Sequence, residues 1–420
     1  MKILWLATVI FPPLAEHLNV KIPNKCGWLY SAAKNLLYNT DEIKLGVVIP
    51  IRELSNARKV VLDRITYYVI PAPPIDSYNK RNVLDCKFAI EDFKPDLIHI
   101  YGSENSISAA ICKANGGMCK TLVNIQGLAS GIVHYADGGL SWWNKLTNVT
   151  PLDFYAGTFL LNIKRRFRNR SECEDYVIKH VTDIVGRTQW DHDHVLTLSP
   201  NIRYHFMNET LRDTFYEEPV WSYDNCKKHT IFVSNSEEPL KGAHQVISAL
   251  PIIIKQYPDT VVNFCGSDVM SSDWRSIIRF QGYHLYLRKL IKKHGLQQHV
   301  NFLGPLTEEK MKQALLDAHV YLMPSAIENS SNSLCEAQML GVPVVASYCG
   351  GTPTLVEDGK TGFLYRYEEI EMLAQRIIQM FAKPDLSTLS ESERTVALTR
   401  HDRKANALSL IEIYNEILKA

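Results

Sequence analysis

Short apolar runs alternate with segments of helical spacing along the first half of the chain. The runs lack polar alternation, which is typical of strands that a parallel sheet buries on both faces. They lie at Lys2–Thr8, Lys44–Ile49, Asp96–Tyr101, Lys120–Ile125 and Asp183–Gly186. Between the first two runs, Gly27–Asn39 carries its apolar residues at helical spacing. This rhythm predicts a doubly wound parallel sheet.

The second half repeats the rhythm and predicts a second Rossmann-like domain. Its strand-like runs are His229–Val233, Val261–Cys265, Val300–Leu303, Val320–Met323 and Pro343–Ser347. Its helix-like segments are His244–Gln256, Tyr283–His294, Glu308–Ala318, Ser333–Leu340 and Glu368–Phe381. The polar stretch Tyr216–Lys228 has no clear periodicity and separates the two halves. We therefore predict an N-terminal domain over residues 1–216, a C-terminal domain over 228–400 and a terminal helix over 401–420.

The composition is that of a folded soluble protein, with 46% hydrophobic and 22% charged residues in a chain of 420. The net charge of +1 gives no overall attraction to nucleic acid. No apolar stretch approaches the roughly 20 residues that a membrane span needs. The 9 cysteines are scattered and form no C-x-x-C, which favours a reducing compartment over a disulfide framework. We therefore expect a cytoplasmic protein.

The region Thr147–Lys179 fits the strand–helix rhythm badly and contains a basic cluster. The cluster consists of Lys164, Arg165, Arg166, Arg168 and Arg170. One interpretation is a helix with a solvated basic face. The other is a patch that contacts anionic lipid or a phosphorylated acceptor, as a peripheral protein at the inner face of a membrane would.

The segment Met323–Ser347 carries the most informative pattern. A strand ends at Met323, a polar loop carries Glu328, and a helix opens at Ser333 with Glu336 in its first turn. Free N–H groups at a helix N-terminus, here near Asn332 and Ser333, form a ready site for a phosphate. Glu336 can accept hydrogen bonds from vicinal hydroxyls, as a ribose presents. The alternative is that Glu336 only stabilises its helix N-terminus.

This pattern resembles the E-x7-E signature of glycosyltransferase family 4, the group 1 glycosyl transferases, which are retaining enzymes of the GT-B fold. Glu328 and Glu336 stand at the two glutamates, with P-S-x-x-E before them and E-A-x-x-x-G-x-P-V-V-A-S after. The resemblance implies that Glu328 is catalytic and holds the donor sugar near its reacting face. It implies that Glu336 holds the ribose.

A second match, Phe232–Ile247, resembles the family's strand–loop–Lys-Gly–helix unit. The resemblance implies that Lys241 binds the donor diphosphate and supports catalysis. A lysine just before a helix is a suitable point charge for that role. Ser236 stands where the family usually has an arginine, so we expect main-chain amides to meet part of the phosphate charge.

Glycine-containing segments supply the remaining matches. Gly350 opens a block, continuing to Gly362, that resembles a family block in which paired glycines let the backbone approach a ligand; a plain turn is the alternative. In the first half, Lys25-Cys26-Gly27-Trp28 is similar to the family's G-G-x loop, with only Gly27 of the pair present. We count Gly27 and Gly350 as candidate substrate-binding residues.

Two polar residues follow strands of the first half. Gln126 stands where the family often has histidine, and because an amide does not titrate, we expect it to hydrogen-bond or shape the cleft. Arg187 either reaches into the cleft or forms a surface ion pair.

We expect no metal, because the D-x-D triplet Asp191-His192-Asp193 is short enough to arise by chance. We expect no cofactor either.

The resulting prediction is an α/β protein of the GT-B fold, with two facing Rossmann-like domains and a C-terminal helix that crosses back to the first. The resemblance implies metal-independent transfer of a sugar from a nucleotide-sugar donor to a glycan or lipid-linked acceptor, in surface polysaccharide synthesis. Two alternatives remain open at this point. One is a GT-B sugar-nucleotide epimerase, and the other is a catalytically silent nucleotide-sugar-binding partner subunit.

Overall fold

The chain forms two compact units in a computed structural model that describes residues 1–20, 27–52, 54–74 and 77–420. Unit 1 comprises Met1–Val133, Arg166–Asp213 and Arg400–Ala420. Unit 2 comprises His134–Arg165 and Thr214–Thr399. The last segment of the chain therefore belongs to unit 1, as the predicted crossing helix requires. Residues 134–165, which the sequence division put in the first domain, group with unit 2.

Unit 1 is built on a sheet whose described strands number eight. They are β1 (Lys2–Leu6), β2 (Lys44–Ile51), β3 (Arg58–Leu62), β4 (Ile65–Pro71), β5 (Leu97–Tyr101), β6 (Lys120–Asn124), β7 (Asp183–Gly186) and β8 (Arg203–Phe206). The spatial order is β3-β4-β2-β1-β5-β6-β7-β8. The pairs are parallel apart from β3, which runs antiparallel to β4 at the edge. Because helices cover both faces, the inner strands are continuously apolar.

Unit 2 is built on a smaller sheet in which the described strands number six and are all parallel. They are β9 (Lys227–Val233), β10 (Val261–Phe264), β11 (Val300–Phe302), β12 (Ala318–Met323), β13 (Val344–Ser347) and β14 (Phe363–Tyr365). The order β11-β10-β9-β12-β13-β14 places β9, β12 and β13 side by side. The loops that follow these three strands therefore meet at one edge of the sheet.

The helices alternate with the strands. In chain order they are α1 (Pro12–Leu18), α2 (Gly27–Asn39), α3 (Lys80–Phe93), α4 (Ser106–Asn115), α5 (Ala129–Ile132), α6 (Trp142–Thr147), α7 (Pro151–Ala156), α8 (Ile163–His180), α9 (Gln189–Leu198), α10 (Ala243–Ile253), α11 (Trp274–Ile277), α12 (Gly282–Lys293), α13 (Glu308–Asp317), α14 (Asn332–Leu340), α15 (Thr352–Leu355), α16 (Ile370–Ala382), α17 (Ser387–Arg400) and α18 (Arg403–Lys419). In the described part of the chain, no helix is long and apolar enough to cross a membrane.

The terminal helix α18 is fastened to the centre of unit 1 by a buried polar chain. The indole Nε1 of Trp5 donates to the hydroxyl of Tyr414 at 2.8 Å, and this hydroxyl lies 2.6 Å from Nδ1 of His99. Burial lowers the pKa of His99 to about 3, so its ring stays neutral. Trp5 and His99 lie on the neighbouring strands β1 and β5, so the chain fixes α18 against the middle of the sheet.

Residues 134–165 join unit 2 through hydrogen bonds to its helices. The carbonyl of Gly138 accepts from the Tyr367 hydroxyl at 2.8 Å and from Nε2 of His244, on α10, at 3.0 Å. Lys289, on α12, donates to the carbonyl of Thr147 at 3.2 Å. These contacts lie more than 100 residues apart in sequence, so no local pattern signals them.

Candidate active site

The turn that carries Lys241 is held close to the loop after β12. A short 3-10 turn, Pro239–Lys241, follows β9, and Gly242 continues it at φ +71°. A Cβ on Gly242 would collide with the carbonyl oxygen of Pro324, so only glycine permits this approach. The amide of Ala326 donates to the carbonyl of Leu240 at 2.8 Å, which closes the contact. The fold thereby delivers Lys241 to the loop that contains Glu328.

Lys241 and Glu328 form an ion pair between Nζ and Oε1. The hydroxyl of Ser325 donates to the same Oε1 at 2.9 Å. The side chains remain 26% and 15% exposed, respectively, so the pair is open to a ligand. Burial alone would lower the pKa of Lys241, but the charge and hydrogen bond of Glu328 outweigh it and raise that pKa. Lys241 is therefore held as a cation.

The backbone of Glu328 is held by the glycine pair after β13. The amide of Gly351 donates to the carbonyl of Glu328 at 2.9 Å. Gly350 has φ +48°, and a Cβ there would collide with the same carbonyl oxygen. The glycine pair thus positions the loop of Glu328, a specific role that a plain turn does not have.

The N-terminus of α14 lies in a cluster of hydroxyl groups. The side chain of Ser331 caps the helix by accepting from the amide of Leu334 at 3.4 Å. The hydroxyls of Ser234 and Tyr321 each lie 2.9 Å from the hydroxyl of Ser333, and 3.0 Å from each other. Ser234 follows β9 and Tyr321 lies on β12, so the sheet order brings this cluster together.

The helix itself begins one residue earlier than predicted. Asn332, half-buried, is its first residue, so the helix opens there and its cap is Ser331 rather than Ser333. Glu336 is consequently beyond the first turn, and its side chain is buried at 2% exposure. Burial raises the pKa of the Tyr321 hydroxyl. The negative charges of Glu328 and Glu336 raise it further.

Ser236 is tied into the loop after β10. Its amide and hydroxyl donate to the carbonyl of Cys265 at 3.0 and 3.3 Å, and it is 1% exposed. The next residue, Glu237, pairs with His284 at 2.8 Å. Burial would raise the pKa of Glu237, but hydrogen bonds from His284 and the amide of Ser267 lower it to about 2. The hydroxyl of Ser236 is therefore engaged within the fold.

In unit 1, Gln126 and Arg187 lie together, joined by Glu209, which the sequence did not single out. The amide nitrogen of Gln126 donates to Glu209 at 2.7 Å and to Asn124 at 2.6 Å. Arg187 forms an ion pair with Glu209 and donates to the side-chain oxygen of Gln126 at 3.3 Å. The side chains of Arg187 and Glu209 are only 6% and 5% exposed. The predicted alternative of a surface ion pair for Arg187 is therefore wrong, because its partner is buried.

Gly27 opens α2, while Lys25 and Cys26 of the same predicted loop lie outside the described residues. Trp28, the next residue, lines a small pocket of unit 1 together with Tyr101, Asn124 and Glu209. The start of α2 and the polar residues after β6 and β8 therefore share one edge of this unit. A signal for Glu209 would have been its acidic charge three residues after a short strand at that edge.

The D-x-D triplet serves the local fold. Asp191 is fully buried and accepts hydrogen bonds from the amide of Arg187 at 3.1 Å and from the hydroxyl of Tyr204. It also completes a capping box with Thr188 at the start of α9. Across the described ranges, no group of three or more histidine, cysteine, aspartate or glutamate side chains could hold a metal ion.

Comparison with known proteins places the pattern of unit 2 in a family. A family model described as "Glycosyl transferases group 1" matches residues 222–395. Among curated proteins, D-inositol 3-phosphate glycosyltransferase of Corynebacterium urealyticum is 28% identical over 180 residues, which is 42% of this chain and 41% of that protein. The chain thus spans less than half the length of the curated relatives it matches.

Solved structures resemble the whole chain. Sucrose-phosphate synthase from Thermosynechococcus elongatus aligns over 100% of this chain and 99% of its own, with a TM-score of 0.69 and 15% identity. HepE from Anabaena, solved in complex with UDP and glucose, aligns over 99% of both chains, with a TM-score of 0.66 and 17% identity. At these identities the likeness establishes the fold, which is GT-B, as predicted.

The match over residues 222–395 contains the predicted residues of unit 2: Ser236, Lys241, Glu328, Asn332, Ser333, Glu336 and Gly350. The family match over these residues agrees with the GT-B fold that the solved structures show. The model of the glycosyl transferases group 1 family therefore matches the part of the chain that holds these residues, and the whole chain has the GT-B fold.

Proposed function

We propose that the protein is a retaining glycosyltransferase that moves a sugar from a nucleoside-diphosphate sugar to a glycan or lipid-linked acceptor. The observation that carries the proposal is the Lys241–Glu328 pair, held near the hydroxyl cluster at the N-terminus of α14, inside the family-matched segment. A cation and a helix N-terminus both favour the negative charge of a diphosphate.

In the proposed reaction, Lys241 and the first amides of α14, at Asn332 and Ser333, hold the donor diphosphate. As the glycosidic bond breaks, negative charge grows on the leaving nucleotide, and preorganised donors stabilise that charge. Glu328 holds the transferred sugar, since it shares the loop edge with Lys241. Glu336, buried deeper on α14, is assigned to the ribose. HepE, solved with UDP-glucose, supports the choice of a nucleotide-sugar donor.

The ion pair gives this proposal a specific first step. Lys241 donates a hydrogen bond to Glu328 and pairs with its charge. An arriving diphosphate competes for Lys241 and leaves the carboxylate of Glu328 available to the sugar hydroxyls. Because the diphosphate is itself an anion, Lys241 exchanges one negatively charged partner for another when the pair breaks.

We propose further that the reaction needs no divalent metal. The positive charge of Lys241 and the dipole of α14 act where a metal would otherwise neutralise the diphosphate. We expect activity to survive EDTA. Complete loss of activity that Mn²⁺ restores would contradict this.

The remaining parts of the proposal concern the compartment of the enzyme and its acceptor. The cysteines that the structure describes, eight in number, are free thiols, which supports a reducing compartment such as the cytoplasm. We propose that the acceptor belongs to surface polysaccharide synthesis, as the family resemblance implies.

A product assay tests the proposed function. The protein is incubated with a panel of nucleotide sugars, with and without glycan and lipid-linked acceptors, and the products are followed by mass spectrometry and NMR. We expect release of the nucleoside diphosphate together with a glycoside of the donor's anomeric configuration. Interconversion of sugars on the intact nucleotide would replace the proposal with an epimerase. Binding without turnover with every acceptor would replace it with a silent partner subunit.

A further inference from the structure

The segment 134–165 of unit 2 leaves many large apolar side chains in solvent. On α6, Trp142 and Trp143 are 65% and 66% exposed, and on α7 Tyr155 is 93% exposed. Further exposed side chains of this segment are Tyr135, Leu146, Phe154 and Leu161. Monomeric proteins scatter exposed apolar residues singly, so seven within 27 residues require an explanation.

A second exposed apolar group lies beside this segment. Trp274, Ile277 and Ile278, on and just after α11, are all exposed. The chain reaches α12 four residues later, and its first residue, Gly282, packs against Asn148 and Leu160. We name the two groups together, residues 135–161 and 274–278, the aromatic surface. It carries three tryptophans, residues that favour the boundary between water and hydrocarbon.

The charges around the aromatic surface are predominantly basic. Arg165, Arg275 and Arg279 are exposed, and within the described part of the chain they form no ion pair. The acidic residues of the segment are withdrawn: Asp137 is buried beneath Lys145 and Lys164, and Asp153 is buried as the cap of α7. Two acids before and at the start of α11, Asp268 and Asp273, are exposed, and Asp273 caps that helix. The net effect is an apolar surface with a basic rim.

We propose that the aromatic surface docks on a membrane whose headgroups are anionic. Tryptophan and tyrosine insert at the headgroup level, and the arginines contact the lipid phosphates. A second copy of the chain fits this surface less well, because a twofold interface would place the same surface against itself and arginines near arginines. Arg165 is also a member of the basic run of α8, whereas Arg170 of the same run is committed to Glu104.

Vesicle binding tests this proposal without any donor or acceptor, so its failure leaves the proposed transferase activity untouched. The full chain is sedimented with vesicles of phosphatidylcholine alone and of an equal mixture with phosphatidylglycerol. We expect binding to the mixture that weakens as salt is added, because salt screens the arginines. We also expect tryptophan emission of the unaltered protein to be quenched by lipids brominated near the headgroup.

Paired substitutions locate the surface. Trp142→Ser with Trp143→Ser, and Phe154→Ser with Tyr155→Ser, should each weaken binding about tenfold or more, since each removes two inserting side chains. Arg165→Glu with Arg275→Glu should remove the preference for the anionic mixture. The matched control, Val61→Ser with Leu84→Ser, removes two exposed apolar side chains of unit 1 and should bind as the unaltered protein does.

Three results would overturn the proposal. The unaltered protein could fail to bind either vesicle and show no quenching. The control could lose binding as strongly as the tryptophan pair does. Analytical ultracentrifugation could reveal a dimer that the tryptophan pair dissociates, with no vesicle binding, and the surface would then be a self-association face.

Discussion

Each unit carries an ion pair beyond the carboxyl ends of neighbouring parallel strands, but the two pairs differ in their access to solvent. In unit 2, Lys241 and Glu328 are 26% and 15% exposed. In unit 1, Arg187 and Glu209 are 6% and 5% exposed, and Gln126 occupies two of their polar groups. The first pair is open to an incoming ligand, whereas the second holds the ends of β6, β7 and β8 together. Similar chemistry at the same place in the fold can therefore serve binding or structure, and burial decides between them.

The largest expected effect separates the two pairs by stability. Arg187→Met leaves Glu209 buried without its partner, which should lower the free energy of unfolding by about 3–5 kcal/mol. Lys241→Met leaves Glu328 with more access to solvent than Glu209 has, and should cost less. Denaturant titration of both variants measures the difference. Equal costs would mean that burial does not distinguish the pairs.

The next effect separates the two glutamates of unit 2 by kinetics. Glu328→Gln should lower kcat by on the order of 10²–10³, because a preorganised contact to the reacting sugar is lost, while the nucleoside diphosphate still binds. Glu336→Gln should mainly raise the donor KM, because the ribose is remote from the bond being broken. Titration calorimetry with the nucleoside diphosphate, paired with a product assay, distinguishes them. If Glu328→Gln abolished nucleotide binding and Glu336→Gln changed neither property, the assigned roles would be wrong.

A pH dependence is expected from unit 1, where Glu174 accepts hydrogen bonds from the amides of Ala129 and Ser130 at 2.6 and 3.1 Å. Burial raises the pKa of Glu174 from 4.5 to about 7. Between these values the folded protein binds more protons at this site than the unfolded chain, so its contribution to stability falls as the pH rises. Between pH 4 and pH 8, the free energy of unfolding of Glu174→Gln should rise by about 3 kcal/mol relative to that of the unaltered protein. A pH-independent difference between the two would refute the raised pKa.

A smaller effect concerns the glycine that seats Glu328. Gly350→Ala and Gly359→Ala both place alanine at positive φ, which costs about 1–2 kcal/mol each. Gly359 has open space around its Cβ position, whereas Gly350 abuts the carbonyl of Glu328. Gly350→Ala should therefore also displace Glu328 and weaken turnover, while Gly359→Ala should leave kcat unchanged. Equal kcat values for the two variants would show that Gly350 does not position the site.

The fold was largely predictable because its core strands are continuous apolar runs. The five strands predicted in each half are present within two residues at either end. The edge strand β3 was missed because it alternates between exposed and half-buried positions and carries no long apolar run. Its partner β4 was missed although it is a mostly buried apolar run. The short strands β8 and β14 offer too few residues for a periodic signal.

The candidate residues of unit 2 could be singled out from the sequence because they lie in contiguous motifs. Lys241 precedes a helix and Glu328 follows a strand, and the two segments meet because β9 and β12 are neighbours in the sheet. The Lys241–Glu328 pairing itself was not predicted, nor was the link from Arg187 to Glu209. Both depend on side-chain contacts between segments far apart in sequence, which periodicity does not record.

Hydrogen exchange with a bound nucleotide tests the central claim most directly. A nucleoside diphosphate that binds, chosen by thermal shift from UDP, GDP and ADP, is added in the presence of EDTA, and exchange is followed by mass spectrometry. The account predicts protection of the amides around Lys241 and at the N-terminus of α14, and its loss in Lys241→Ala. If the bound nucleotide protected unit 1 alone, or if none of the nucleotides bound, unit 2 would not be the donor site.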